Sequence, residues 1–301
     1  NSIYMLEKNI KESKGCLRDL NTMFWILKYR YNISNILEIR KYNQPLLAEI
    51  RKFYKALDFL MTLRCHLHYI SRKDNNFLDF IAQEEIALDL KYRNNSNSLS
   101  VERFMKRFYL FVKDVVSLSR KFCNEMSFFN NTKSIYSSTT HKKTWNRKNF
   151  ELVDGLIYFK SNDIKSKIGS NDILEIFKFS QNKKLKIHPS TIYKIEISKR
   201  NVALLKENKE LNNKFIDILL SSKNSEKTLR IMSETGILGQ LIPDFQKITG
   251  LIQFNMYHHY TVDEHTLRAI GFLHKLEKGN LLKIAPMATK LIKTIQSRKV
   301  L

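Results

Sequence analysis

Apolar residues recur at three- and four-residue intervals through most of this chain, the spacing that lines one face of an α-helix. Leu20, Met23, Phe24, Leu27 and Tyr31 form the first such face, and Asp19 stands where a capping acceptor is wanted. Leu46, Ile50, Phe53, Leu57 and Leu60 form a second, with Pro45 suited to a first helical position. A third helix is predicted over about 77–92, then a polar loop over 94–98. Ser100 can cap a long helix carrying Val101, Phe104, Phe108, Phe111, Val115, Leu118 and Phe122. These four helices predict one bundle-like unit over 1–127.

The pattern then weakens. Residues 128–148 are rich in Asn, Ser, Thr and Lys and read as a linker, with the linking region extending to 165. Within it, near 150–160, Asp154-Gly155 separates two β-rich runs, a strong hairpin signal and the one clear β element. Helical spacing returns over 166–255. Ser170 leads to Leu174 and Phe177, Pro189 opens a helix toward Leu205, and Leu211, Phe215 and Ile218 mark a third. Ser225 caps a short fourth that ends at Gly236, and Pro243 stops its continuation. Residues 256–301 start a last helical region, with a final helix predicted over 286–298. The fold class is therefore mainly α, two helical units joined by a linker and one hairpin.

The stretch YHHYTVDEHTL, residues 257–267, differs in kind. Thr261 and Glu264 have the spacing of a capping box, so a helix is predicted to begin at Val262. His258, His259, His265, two tyrosines and two acids crowd its first turn and the approach to it. His265 is placed on the face shared with Val262, Ala269 and Leu273, where a histidine serves either as a core residue or as a metal ligand. His274 and Glu277, one turn apart, are further candidates.

Composition narrows the reading. Only 4 prolines and 8 glycines in 301 residues favour long helices. Three well-separated cysteines, Cys16, Cys65 and Cys123, include no CxxC pair, which argues against a disulfide framework or zinc ribbon and fits a reducing cytoplasm. No apolar run is long enough for a membrane span, and no signal peptide is visible. The chain begins without Met, and we expect a piece of a longer polypeptide. A net charge of +23 favours phosphate-bearing partners, but the lysines are dispersed and read rather as solvated faces.

Two further places could carry chemistry. Lys11, Lys14 and Arg18 surround Gly15 at a helix start, where amides and cations could hold a phosphate, although the residues alone read first as an ordinary charged helix entry. Arg64 and His68, one helical turn apart, are expected to form a structural hydrogen-bond network. No GxxxxGK[ST] and no GxGxxG occurs. Gly169-Ser170 resembles the Gly-Ser of nucleotidyltransferase palms, but Asp172 and Glu175 lack the spacing of a magnesium-binding carboxylate pair.

Several of these segments together resemble one family. KESKGCLRDLNTMFWILKY over 11–29 is similar to the pattern KEGKGGLRDLxTxxWxxK of the bifunctional PII uridylyltransferase/uridylyl-removing enzymes. LRCHLHYISRKDNNFLDF over 63–80, VERFMKRFY over 101–109 and ETGILGQLIPDFQKITGLIQFNMYHHYTVDEHTL over 234–267 follow the family in order. Ser13 and Cys16 depart from its glycines.

The resemblance implies a polypeptide that adds UMP from UTP to the signalling protein PII and removes it by hydrolysis. It implies Mg²⁺ in a palm domain ahead of this region and a divalent metal in an HD domain beginning within 256–301. Glutamine would act as effector of the whole enzyme, and neither membrane nor nucleic acid is expected as a partner. His265 corresponds to the first histidine of the HD metal set. Lys14, Arg18 and Asp19 carry over as a nucleotide- or phosphate-binding turn. The remaining ligands would lie outside residues 1–301, so the chain alone is expected to be inactive. The alternatives are an HD-type metal-dependent phosphohydrolase of another substrate and a basic helical nucleic-acid-binding module.

Overall fold

The computed structural model describes residues 5–35, 37, 38, 47–96, 98–134, 143–146, 149–153, 155–160, 167–203, 208–221, 223, 225–254 and 259–295. The chain divides into two units, Asn1–Thr132 with Thr249–Val262, and Lys133–Ile248 with Asp263–Leu301. Helix dominates both, as the apolar spacing predicts.

The first unit contains β1 (Lys8–Asn9), α1 (Leu17–Tyr31), α2 (Leu47–Ser71), β2 (Phe77–Leu78), α3 (Phe80–Asp89) and α4 (Ser100–Ser134). Its core takes Leu20, Met23 and Leu27 from α1, Ile50, Phe53 and Leu60 from α2, and Phe104, Phe108 and Val115 from α4. These are the predicted faces. Differences appear at the ends. Asp19 lies inside the first turn of α1, and Cys16 holds the capping position without a side-chain cap. Residues 77 and 78 pair with β1 instead of starting a helix, because Asp79 Oδ1 accepts the Ala82 amide at 2.8 Å and fixes the start of α3 there. Helix α4 continues to Ser134, seven residues into the stretch read as linker. Pro45 lies outside the described residues.

The segment before the histidine-rich stretch belongs to this unit. Ile252 is buried in its core, and the Phe254 ring meets Phe80 edge-on at 5.4 Å. Leu6 N donates to His259 O at 3.1 Å, and Met5 bridges Tyr260. Residues 249–254 and 259–262 thus belong with the N-terminal strand region, where the sequence pattern groups them with the helices on either side.

The second unit opens with β3 (Lys143–Asn146), β4 (Phe150–Val153) and β5 (Leu156–Phe159). Val153 pairs with Leu156 across the predicted two-residue turn, of which Asp154 lies outside the described residues. The hairpin is not alone: β3 adds antiparallel to β4, and β6 (Lys186–Ile187) adds parallel to β5. Between β5 and β6 lies α5 (Ser170–Lys183), so the chain makes a strand–helix–strand crossover.

After β6 come α6 (Pro189–Ala203), α7 (Lys209–Leu220), α8 (Ser225–Glu234), α9 (Ile237–Leu241), α10 (Pro243–Ile248), α11 (Val262–Glu277) and α12 (Pro286–Ile292). Pro243 opens α10, as its position at a first helical residue allows. Helix α12 is shorter than predicted, and Arg298 lies outside the described residues. The core of this unit gathers Phe150 and Ile157 from the sheet with Phe177, Ile195, Ile218, Met232 and Leu267 from the helices.

Candidate functional site

The turn before α1 is built from its backbone outward. Gly15 adopts φ +80°, and a Cβ there would lie 2.6 Å from Val112 Cγ1 and 2.7 Å from Val112 O. The turn is therefore pressed against α4, and only glycine meets both conditions. Its amides are spent locally. Cys16 N donates to Ser13 O, Leu17 N to Ile10 O and Arg18 N to Lys11 O. Gly15 N donates to Asp19 Oδ2 at 2.6 Å. The convergence of free amide donors expected around a phosphate is thus absent from this turn, and any anion contact there falls to side chains. Asp19 locks the turn. Arg18 is exposed and forks onto Glu12, and Lys14 is exposed.

Beneath this turn lies a residue that sequence reading passed over. Lys8 is 2% exposed, and its Nζ has no hydrogen-bond partner among the described residues. Burial pushes its pKa down to about 8, against the opposing pull of Cys16 and Asp19. Burial likewise pushes the Cys16 thiol up to about 11. A lysine within a two-residue strand carries no periodic signal, so nothing in the sequence marked its side chain as inward.

The start of α11 is where Thr261 and Glu264 predicted it, for a different reason. The buried Thr261 hydroxyl has no partner among the described residues, and Glu264 does not reach back to close a capping box. Glu264 is instead 0% exposed and held by Arg230 of α8 and by Arg268 Nε at 2.8 Å. Arg230 Nη2 also donates to Glu226 at 2.8 Å. Burial opposes the Arg230 charge, but the bonds to Glu264 and Glu226 outweigh it and raise its pKa. Gly271 allows the close approach, since a Cβ there would sit 2.0 Å from Glu226 Oε2. Two i,i+4 acid–arginine pairs, Glu226–Arg230 and Glu264–Arg268, were the available sequence signal for this clamp.

The clamp turns α11 so that its inward face is Asp263, Glu264, Leu267 and Gly271. His265 consequently stands exposed on the outer side with Ala269, not on an apolar face. It is reachable as a ligand, but no three His, Cys, Asp or Glu side chains converge on a metal position among the described residues. These residues alone do not hold a metal. His259 is exposed, His258 lies outside the described residues, and His274 Nδ1 stands 3.7 Å from Glu277. The network expected at Arg64 and His68 forms in part: Arg64 Nε donates to Asn76 at 2.9 Å, whereas His68 Nε2 lies 3.0 Å from Asp74 without a hydrogen bond. Asp172 accepts from Asn149 Nδ2 with both carboxylate oxygens, at 2.9 and 2.8 Å.

The comparisons with known proteins bear on both sites. Residues 1–123 match the family model described as GlnD PII-uridylyltransferase, and residues 150–241 match the uridylyltransferase GlnD third domain. Most of the chain thus matches domains of the GlnD uridylyltransferase family. Over its whole length it is 37% identical to the bifunctional uridylyltransferase/uridylyl-removing enzyme of Rhodospirillum rubrum. It is also 37% identical to the enzyme of the same description from Azospirillum brasilense. It covers 32% of each relative, so it spans about a third of the length of the curated relatives it matches. No solved structure matches it significantly. Within this family assignment, the KGxLRD turn and α1 fall in the region of the transferase model, and Arg230 falls in the third domain. No helix of the described residues is long and apolar enough to cross a membrane.

Proposed function

We propose that this chain is the central region of a cytoplasmic enzyme that transfers UMP from UTP to the PII protein and hydrolyses UMP from uridylylated PII. The observation that carries the reading is the collinear 37% identity over the whole chain to two enzymes bearing both activities in their names. In this reading transfer is in-line attack by a PII tyrosine on the α-phosphorus of UTP, with Mg²⁺ held by a palm domain outside residues 1–301. Glutamine is the effector of the whole enzyme.

The chain's own residues contribute support rather than a complete centre. Lys14 and Arg18 offer exposed cations to the nucleotide phosphates, while Asp19 holds their turn in shape. His265 offers one accessible imidazole to the hydrolytic metal, whose other ligands lie outside this chain. That metal, once bound, would supply hydroxide and neutralise charge on the phosphodiester. The clamp around Glu264 fixes the helix from which His265 projects.

Purified chain, incubated with labelled UTP and PII, is expected to transfer no label, and the full-length enzyme to transfer it in a Mg²⁺-dependent manner. Transfer by the 301-residue chain alone would sink the assignment of its residues to a supporting role. Absence of transfer and removal by the full-length enzyme would sink the functional reading itself.

A further inference from the structure

Two stretches stand out in a chain whose net charge is +23. Residues 74–90 carry five acids, Asp74, Asp79, Glu84, Glu85 and Asp89, and no Lys or Arg. Residues 278–301 carry six cations and no Asp or Glu. Each stretch also leaves large apolar side chains in water. On α3 the buried face is Ala82, Gln83, Ile86 and Ala87. Its outer face shows Ile81, 71% exposed, and Leu88, 68% exposed, two turns apart with the exposed Glu84 and Glu85 between them. On α12 the buried residues are Thr289 and Ile292. Outside stand Met287, 76% exposed, and Leu291, 61% exposed, one turn apart, with Ile284, 82% exposed, in the turn that leads in. Lys283 and Lys290 are exposed beside them. Single exposed apolar residues are ordinary on a protein surface, but rows of them rimmed by charge mark contact sites.

We propose that these faces are the two halves of one self-association contact, in which the α3 face of one copy seats the α12 face of another. Charge chooses the occupant. An apolar row edged by lysines attracts an apolar row edged by carboxylates and repels a second basic row. Helix α12 is therefore a poor partner for α12 of another copy, and α3 for α3. The chain itself supplies the complement to each. Opposite charges also disfavour registers in which lysine meets lysine, so they set the direction of the contact. Unlike patches make a heterologous contact, which closes when two copies exchange it reciprocally and otherwise extends into a longer assembly. Two short helical faces bury less than a standard interface, so the contact is weak and depends on concentration. The pairing is independent of the function proposed above.

The 301-residue chain is expected to gain mass with concentration in sedimentation equilibrium, from monomer at about 1 μM to dimer or larger at about 100 μM. A mass that stays monomeric across that range overturns the proposal. Lys283→Glu/Lys290→Glu places acids on both faces, and Glu84→Lys/Glu85→Lys places bases on both. Each variant alone is expected to associate at least about tenfold more weakly than wild type, with unchanged helical circular dichroism. An equimolar mixture of the two restores opposite charges and should regain mass as mixed assemblies, which misfolded variants would not do. Association that falls in only one of the two variants overturns the pairing, and so does a mixture that stays monomeric. A wild-type chain that remains monomeric but sediments with phosphatidylserine vesicles assigns the α12 face to an anionic lipid surface and also overturns it.

Discussion

Lys8 and Glu264 are both fully enclosed charges, and the protein treats them in opposite ways. Glu264 sits between two guanidiniums, each donating a hydrogen bond. Lys8 has no hydrogen-bond acceptor among the described residues and has only the fields of Cys16 and Asp19 for company. Burial strips water from both, at a cost of several kcal/mol per ion before compensation. For Glu264 two guanidiniums supply compensation and the side chain fixes a helix. For Lys8 no such partner does, and the balance is struck by a lowered pKa. The difference teaches that burial alone does not identify a structural charge. The partners do.

Removing one partner should give the largest effect. Arg230→Met leaves Glu264 enclosed with Arg268 alone and is expected to cost about 3–5 kcal/mol of stability, measured by urea unfolding. If the loss is under about 1 kcal/mol, the clamp is not the strong member of the comparison. Lys8→Met should act in the other direction. A pKa lowered from 10.5 to about 8 corresponds to a penalty on the order of 3 kcal/mol at neutral pH, which the thioether does not bear. The variant is therefore expected to unfold at higher temperature than wild type. A lower melting temperature would show that the ammonium is satisfied after all.

The pH dependence sharpens the same contrast. Because the folded pKa of Lys8 is depressed, its penalty is fully present below pH about 8 and is relieved as pH rises toward 10.5. The Cys16 thiol is raised from 9.0 to about 11, so it contributes a loss of stability as pH rises above 9.0. Between pH 8 and 9 the Lys8 slope dominates, and unfolding free energy should climb by roughly 0.5–1 kcal/mol. From 9 to about 10.5 the two slopes oppose and the curve should flatten. Lys8→Met should lack the climb and decline above pH 9. The smallest effect belongs to the exposed pair: Arg18→Ala, which breaks the contact with Glu12, should change stability by less than about 1 kcal/mol.

Much of this was legible in the amino-acid pattern, and the failures share one cause. The helical faces of α1, α2 and α4 follow from local spacing, and so does the start of α11 at Val262. The capping box was misread because Thr261 and Glu264 satisfy a local rule, while the partner that claims Glu264 arrives from 34 residues away. The same distant arginine makes an acidic face the inward one and turns His265 out, against an apolar pattern of Val262, Ala269 and Leu273. Strands β3 and β6 escaped for a related reason. Each is short, and its pairing is set by β4 or β5 and not by its own sequence. At the turn before α1, Gly15 was recognisable from the motif, but its neighbour Val112 lies on another helix, so the use of the amides could not be read.

The parallel pairing of β5 with β6 also orders events during synthesis. The β4–β5 hairpin can close as soon as Phe159 has left the ribosome, on a microsecond scale typical of hairpins. Its outer edge then waits for α5 and the two residues Lys186 and Ile187 to arrive. Until they do, β5 offers unpaired amides and carbonyls beside Ile157 and Phe159, a template for any extended chain nearby. Two residues of strand thus act as a stopper on a sticky edge, and their late arrival sets the interval in which a nascent chain of this protein is most exposed to misassembly.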